Sequence, residues 1–133
     1  MRFVSLLARA VALSAVAACA ASTAPLTSGN WGGADLLLTL TPTGGTAEFD
    51  CAHGAISSPL QVDGLGNFDV PGTFIQEGGP SRLGDGRPVY PARYAGRITG
   101  NVMKLTVTRT DSVVSLGTFT LERDGQARVF KCL

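Results

Sequence analysis

Met103, Leu105 and Val107 alternate with Lys104, Thr106 and Thr108, and Phe119 and Leu121 alternate with Thr118, Thr120 and Glu122. A two-residue period sends successive side chains to opposite faces of a strand, so each run has one apolar and one wet face. Strands covered on both sides read as continuous apolar runs, whereas half-buried alternation belongs to antiparallel sheet. Leu36-Leu37-Leu38 is less regular and fits a first strand covered on both faces.

Between such runs stand turn signals at short spacing: Pro42-Thr43-Gly44-Gly45, Asp63-Gly64, Thr99-Gly100-Asn101, Thr110-Asp111-Ser112 and Asp124-Gly125. They delimit eight candidate strands, at about 34–41, 45–51, 55–62, 67–76, 88–98, 102–109, 115–123 and 127–132. Every link but one is short enough for a hairpin, so neighbours in sequence should be neighbours in space. The expected fold is all-β, an antiparallel eight-stranded meander closed into a barrel that leaves no open edge. A β-sandwich is the alternative. The exceptional link, Glu77 to Arg87, is Gly-rich and charged, and a loop of that length is the natural place for function.

The N-terminal segment is of another kind. Met1 to Arg9 carries two positive charges, Ala10 to Ala18 is apolar and small, and Cys19 follows. Nine apolar residues suit a secretory signal and fall well short of the eighteen or so that span a bilayer. Val16-Ala17-Ala18-Cys19 resembles the bacterial lipobox. That resemblance implies removal of residues 1–18, diacylation of Cys19 as the new N-terminus, and an uncharged tether over 19–28 leading to a domain over 29–133. It also implies an exported lipoprotein held to a membrane of the bacterial cell envelope, at its periplasmic or outer-membrane face. Ordinary cleavage around Ala18-Cys19-Ala20, giving a secreted product, is the alternative. Acylation of Cys19 would leave Cys51 and Cys132 as an even pair in an oxidising compartment, where a disulfide is expected. Two buried free thiols are the alternative.

Beyond residue 18 the chain carries nine basic and ten acidic residues, which excludes the strongly basic footprint of a nucleic-acid binder. The charges are nevertheless segregated: residues 20–81 hold six acids and no Lys or Arg, and residues 82–133 hold nine basic residues and four acids. Arg82, Arg87, Arg93 and Arg97 follow the start of the long link and could receive an anion. The simpler reading is pairing of opposite charges across strands where the two halves meet.

Catalytic chemistry finds no foothold. Nucleophilic hydrolysis needs a base beside the nucleophile, and the chain has one His, His53, in Asp50-Cys51-Ala52-His53-Gly54. Metal sites need three or four ligands, and with the cysteines paired the supply is thin. Asp63-Gly64-Leu65-Gly66-Asn67 lacks the acidic repeat of a calcium loop and reads as a turn. Nothing places Asp50 and Asp69 as a glycosidase pair. The expectation is therefore no enzyme, no cofactor and no metal.

With the strands numbered, three short features resemble the signatures of the lipocalin and wider calycin barrels. Gly29-Asn30-Trp31 resembles the Gly-x-Trp that opens the first strand, Thr110-Asp111 the Thr-Asp pair of the turn between strands six and seven, and Arg128 the basic residue that packs over the Trp. The resemblance implies that Gly29, Trp31, Thr110, Asp111 and Arg128 meet and close one end. It also implies a binding module for a small apolar or anionic ligand. A structural or protein-interaction lipoprotein with a solidly packed barrel is the alternative, since eight strands enclose either packed side chains or one small ligand. By strand order the turns at Pro42–Gly45, Asp63–Gly66, Thr99–Asn101 and Asp124 share the end opposite Trp31, and an open mouth ringed by those turns is the expected site. The link at 77–87 is expected on the Trp31 side.

Overall fold

The computed structural model describes residues 28–78 and 86–132. Among them are eight strands: β1 (Gly29–Gly32), β2 (Leu36–Thr41), β3 (Gly44–Phe49), β4 (Ala52–Ile56), β5 (Asn67–Gln76), β6 (Tyr90–Thr99), β7 (Val102–Arg109) and β8 (Val114–Arg123). They pair in sequence order, every neighbour antiparallel, and β1 pairs with β8 to close a barrel. The meander barrel is thus the fold, and the sandwich is excluded.

Its strands are not quite the eight expected. Gly29–Gly32 forms a strand of its own, separated from β2 by the Gly33-Ala34-Asp35 turn, in which the Gly33 N–H donates to the Leu36 carbonyl. The run 127–132, strand-like in sequence, is not a strand. The edge it would have paired with is already taken: Trp31 lies opposite Arg123 and Gly32 opposite Glu122. Asp124, at φ 54°, turns the chain away. The tail then bonds singly, Arg128 N–H to the Gly33 carbonyl and Phe130 N–H to Asp50 Oδ1, while its Phe130 carbonyl accepts from Cys51 N–H. The expected strand 55–62 also divides, because β4 ends at Ile56 and 57–66 is a loop.

Alternation explains the core. Leu36, Leu38 and Leu40 of β2, Met103, Leu105 and Val107 of β7, and Leu121 of β8 point inward and are buried, each such side chain contributing roughly 2 kcal/mol by leaving water. Two larger groups fill the centre, Trp31 and Tyr94, both 0% exposed. Tyr94 fits because inward positions near it lack side chains. A Cβ on Gly72 would stand 2.7 Å from the Tyr94 ring, and one on Gly54 would overlap the Tyr94 hydroxyl. That hydroxyl donates to the Thr73 carbonyl at 2.7 Å, and burial pushes its pKa up. The Trp31 Nε1–H has no acceptor among the described residues.

Consecutive antiparallel strands put alternate links at the same end. The start of β1, the β2–β3 turn, the 57–66 loop, the β6–β7 turn and Asp124 form one rim, here the Gly29 rim. The Gly33–Asp35 turn, the Asp50-Cys51 turn, the β5–β6 link and the 110–113 turn form the Cys51 rim. The links group with one another as sequence order required, but the turns expected opposite the start of the first strand share its rim, and the β5–β6 link lies at the other end, because Gly29–Gly32 is an additional strand. At the β6–β7 turn, Gly100 takes φ 60° as the first residue of a two-residue hairpin loop, a position that favours glycine.

Candidate functional site

Trp31, Tyr94, Leu38 and Leu105 are each 0% exposed and belong to one core cluster, so the middle of the barrel is packed side chain. The expected mouth at the Gly29 rim is shut as well. Leu60, on the loop at 57–66, is 2% exposed and packs into the core cluster with partly buried Val62 beside it. Tight Gly turns alone would leave this end uncovered, but the link that precedes β5 carries an apolar plug. A depression of about 600 Å³ lies between that loop and β5, and its lining, from Ser58 to Pro71 and including the core residues Phe68 and Val70, comes from that one stretch of chain.

The recess that enters the barrel is at the other end. About 360 Å³ in volume, it is lined by Phe49 at the end of β3, Ala52 at the start of β4, Phe74 and Gln76 at the end of β5, and Leu116 and Phe119 on β8, with Asp35 and Asp50 at its lip. Its position at the end where β5 gives way to the long link overturns the expected placement. The aromatic floor is ordered by Phe49, whose ring meets Phe74 edge-on at 5.5 Å and Phe119 at 5.6 Å between centroids. Such tilted pairings match ring edges to ring faces. Below them, Tyr94 lies 6.5 Å from Phe49. Phe49 ends β3 and Phe74 stands two residues from the end of β5, while Phe119 lies midway along β8, and all three face the core. No motif marks them, and the one available signal was that Phe49, Phe74 and Phe119 are inward aromatics on three strands.

The disulfide is present: Cys51 and Cys132 are bonded, with Cα atoms 4.7 Å apart. It joins a two-residue turn to the tail, not two strand ends flanking the first strand. Beside it, Lys131 Nζ pairs with Glu48 and with Glu77 Oε2 at 3.1 Å and donates to the Ala52 carbonyl at 2.9 Å. His53 Nδ1 meets Glu77 Oε1 at 2.6 Å, so its partner is Glu77 and not Asp50. Burial alone would raise the Glu77 pKa, but hydrogen bonds and charge from Lys131 and His53 hold it below the ordinary value. The same cluster, against the opposing cost of burial, raises that of Lys131.

The residues of the calycin resemblance do not meet. Gly29 and Trp31 open the barrel on β1, but Arg123, at the end of β8, lies over the Trp31 ring, 4.5 Å from its centroid. Arg128, on the departing tail, donates its backbone N–H to the Gly33 carbonyl and is not the cation over the Trp31 ring. The reason is the closure: β8, not 127–132, is the partner of β1, so the last residue of β8 reaches the Trp. Thr110 and Asp111 belong to the turn between β7 and β8, at the Cys51 rim, where Asp111 pairs with Arg109 at 2.6 Å and the Arg109 guanidinium covers the Tyr90 ring. The extra strand at the start moves this turn to the other end.

The arginines considered for an anion do not converge either. Arg93 and Arg97 point outward from β6; Arg93 pairs with Asp69 on β5 at 2.6 Å and Arg97 donates to the Leu65 carbonyl. Arg87 caps the Gln76 and Gly78 carbonyls at the Cys51 rim. Arg82, like Cys19, the signal and most of the tether, lies outside the described residues. The segregated charges are spent on pairs between the two halves of the chain, Lys131 with Glu48 and Glu77 and Arg93 with Asp69. Asp50 at the rim and Asp69 on the outer wall are not a facing pair.

Fold and recess together define a small closed β-barrel, solid inside, with an aromatic recess at one mouth. No protein-family model, curated protein or solved structure matches the chain.

Proposed function

We propose that this is a lipoprotein of the bacterial cell envelope, anchored through an acylated Cys19, whose barrel takes a small ligand with an apolar body into the recess at the Cys51 rim. The observation that carries the reading is the recess itself: three phenylalanines and Leu116 left facing about 360 Å³ of open space in a barrel otherwise filled. That volume is at the lower end for small-molecule sites, which are apolar with a few polar groups at the edge. The Gly29-Asn30-Trp31 opening and an arginine on the Trp ring support a distant likeness to calycins, with the ligand held at the mouth in place of the interior. The test is titration of the folded domain with N-phenyl-1-naphthylamine, whose fluorescence rises in apolar surroundings. Saturable one-to-one binding that Leu116→Trp abolishes by filling the recess is expected. No saturable binding by the folded domain overturns the reading.

A second reading, a protein-interaction module, is favoured by the solid interior and by Val89, Val113, Val114 and Phe130, all exposed at the same rim. For the anchor, mass spectrometry of the protein from its native membranes should find a diacylated N-terminal Cys19, and an unmodified chain starting at Ala20 or later would refute it.

A further inference from the structure

We propose that the ligand of the mouth recess is an organic cation, an apolar or aromatic body bearing an ammonium group, with the charge held between Asp35 and Asp50. This rests on the reading of the recess as a binding site. The lining residues include two carboxylates and no Lys, Arg or His. Of the cations described elsewhere at this rim, Lys131 pairs with Glu48 and Glu77, Arg109 pairs with Asp111 and Arg87 caps two backbone carbonyls, while Arg128 stands beside the Gly33–Asp35 turn and does not line the recess.

The two carboxylates at the lip have no such partner. Among the described residues neither makes an ion pair, although Glu48, Asp69, Glu77 and Asp111 all do. Asp63, Glu122 and Asp124 also lack one, but they lie at or near the Gly29 rim, and Asp63 accepts backbone hydrogen bonds from Leu65 and Asn67. Asp50 is oriented by the Phe130 N–H, which donates to its Oδ1 at 2.7 Å and leaves Oδ2 for a ligand. Asp35 stands on the turn before β2, exposed and without a hydrogen bond among the described residues. An anion entering the recess would meet both negative charges, while a cation gains from each and from the negative faces of the phenylalanine rings behind them.

Three probes with one apolar body separate the possibilities: 1-(aminomethyl)naphthalene, 1-(hydroxymethyl)naphthalene and 1-naphthoate, each titrated into the folded domain at neutral pH and low salt and followed by amide chemical shifts. The ammonium probe should bind about fivefold tighter than the alcohol, the preference that a pair of exposed ion pairs supplies, and the carboxylate weakest. Salt should erode the preference. Asp35→Asn/Asp50→Asn should abolish it, bringing the ammonium and alcohol probes to the same affinity, the amide oxygen at position 50 still accepting from Phe130. Equal or tighter binding of the alcohol or the carboxylate overturns the cation assignment and leaves the binding site standing. A preference that survives the double Asn variant overturns it too. If no probe binds, the binding site fails and the assignment with it.

Discussion

Cys132→Ser removes a bond between residues 81 apart in the chain. Cys132 is the better position to change, because Cys51 stands at φ 52° in a two-residue turn, where any substitution also alters backbone strain. In the native state the tail keeps other holds, Phe130 N–H on Asp50 and Lys131 on Glu48, Glu77 and the Ala52 carbonyl, so the folded barrel should survive with little change. The effect then falls on the unfolded chain. Freeing a loop of this length restores about 15 cal/mol/K of chain entropy, or about 4.5 kcal/mol at 25 °C. Domains of this size have a net stability of roughly 5–15 kcal/mol, so the loss is a large part of the whole. At about 4–8 °C per kcal/mol it lowers Tm by about 20–35 °C. Urea unfolding followed by far-UV circular dichroism and by the fluorescence of Trp31 measures it, and the reduced wild type should match the variant. A loss below about 1 kcal/mol would refute the reasoning. So would two titratable thiols in unreduced, denatured protein, which would mean that the bond does not form.

Gly72→Ala puts a methyl against the Tyr94 ring and should cost about 1–3 kcal/mol by overpacking, while Tyr94→Phe, losing one hydrogen bond, should cost about 1 kcal/mol; a neutral Gly72→Ala in urea unfolding would mean that the interior is looser than described. Because the folded pKa of Glu77 lies below its unfolded value, its ion pairs contribute stability that is full above the unfolded value and is lost as pH falls through the folded one. The stability advantage of wild type over Glu77→Gln at pH 7 should therefore vanish in acid, and a pH-independent difference would contradict this. Arg123→Met should shift Trp31 emission and cost about 0.5–1 kcal/mol, whereas Arg128→Met should leave the spectrum unchanged; the reverse pattern would restore Arg128 as the partner of the Trp.

What the sequence alone determined is what alternation and turn chemistry encode locally. Leu105 and Val107 inward, Thr106 and Thr108 outward, the hairpin at Gly100 and the grouping of links at alternate ends all follow from a two-residue period and short connections, which need no knowledge of distant chain. The eight-strand count came out right although one member was misplaced. Which strand closes the barrel was decided by tertiary structure. Of the two competing segments only 127–132 has strand-like composition, since Gly29–Gly32 has Trp31 as its one β-favouring residue, yet the edge of β8 went to β1, which sent the tail across to Cys51 and put Arg123 in place of Arg128 on Trp31. The recess was hidden for the same reason: Phe49, Phe74 and Phe119 stand on three strands separated by 25 and 45 residues, and no local pattern records that their ends share one rim while Leu60 plugs the other.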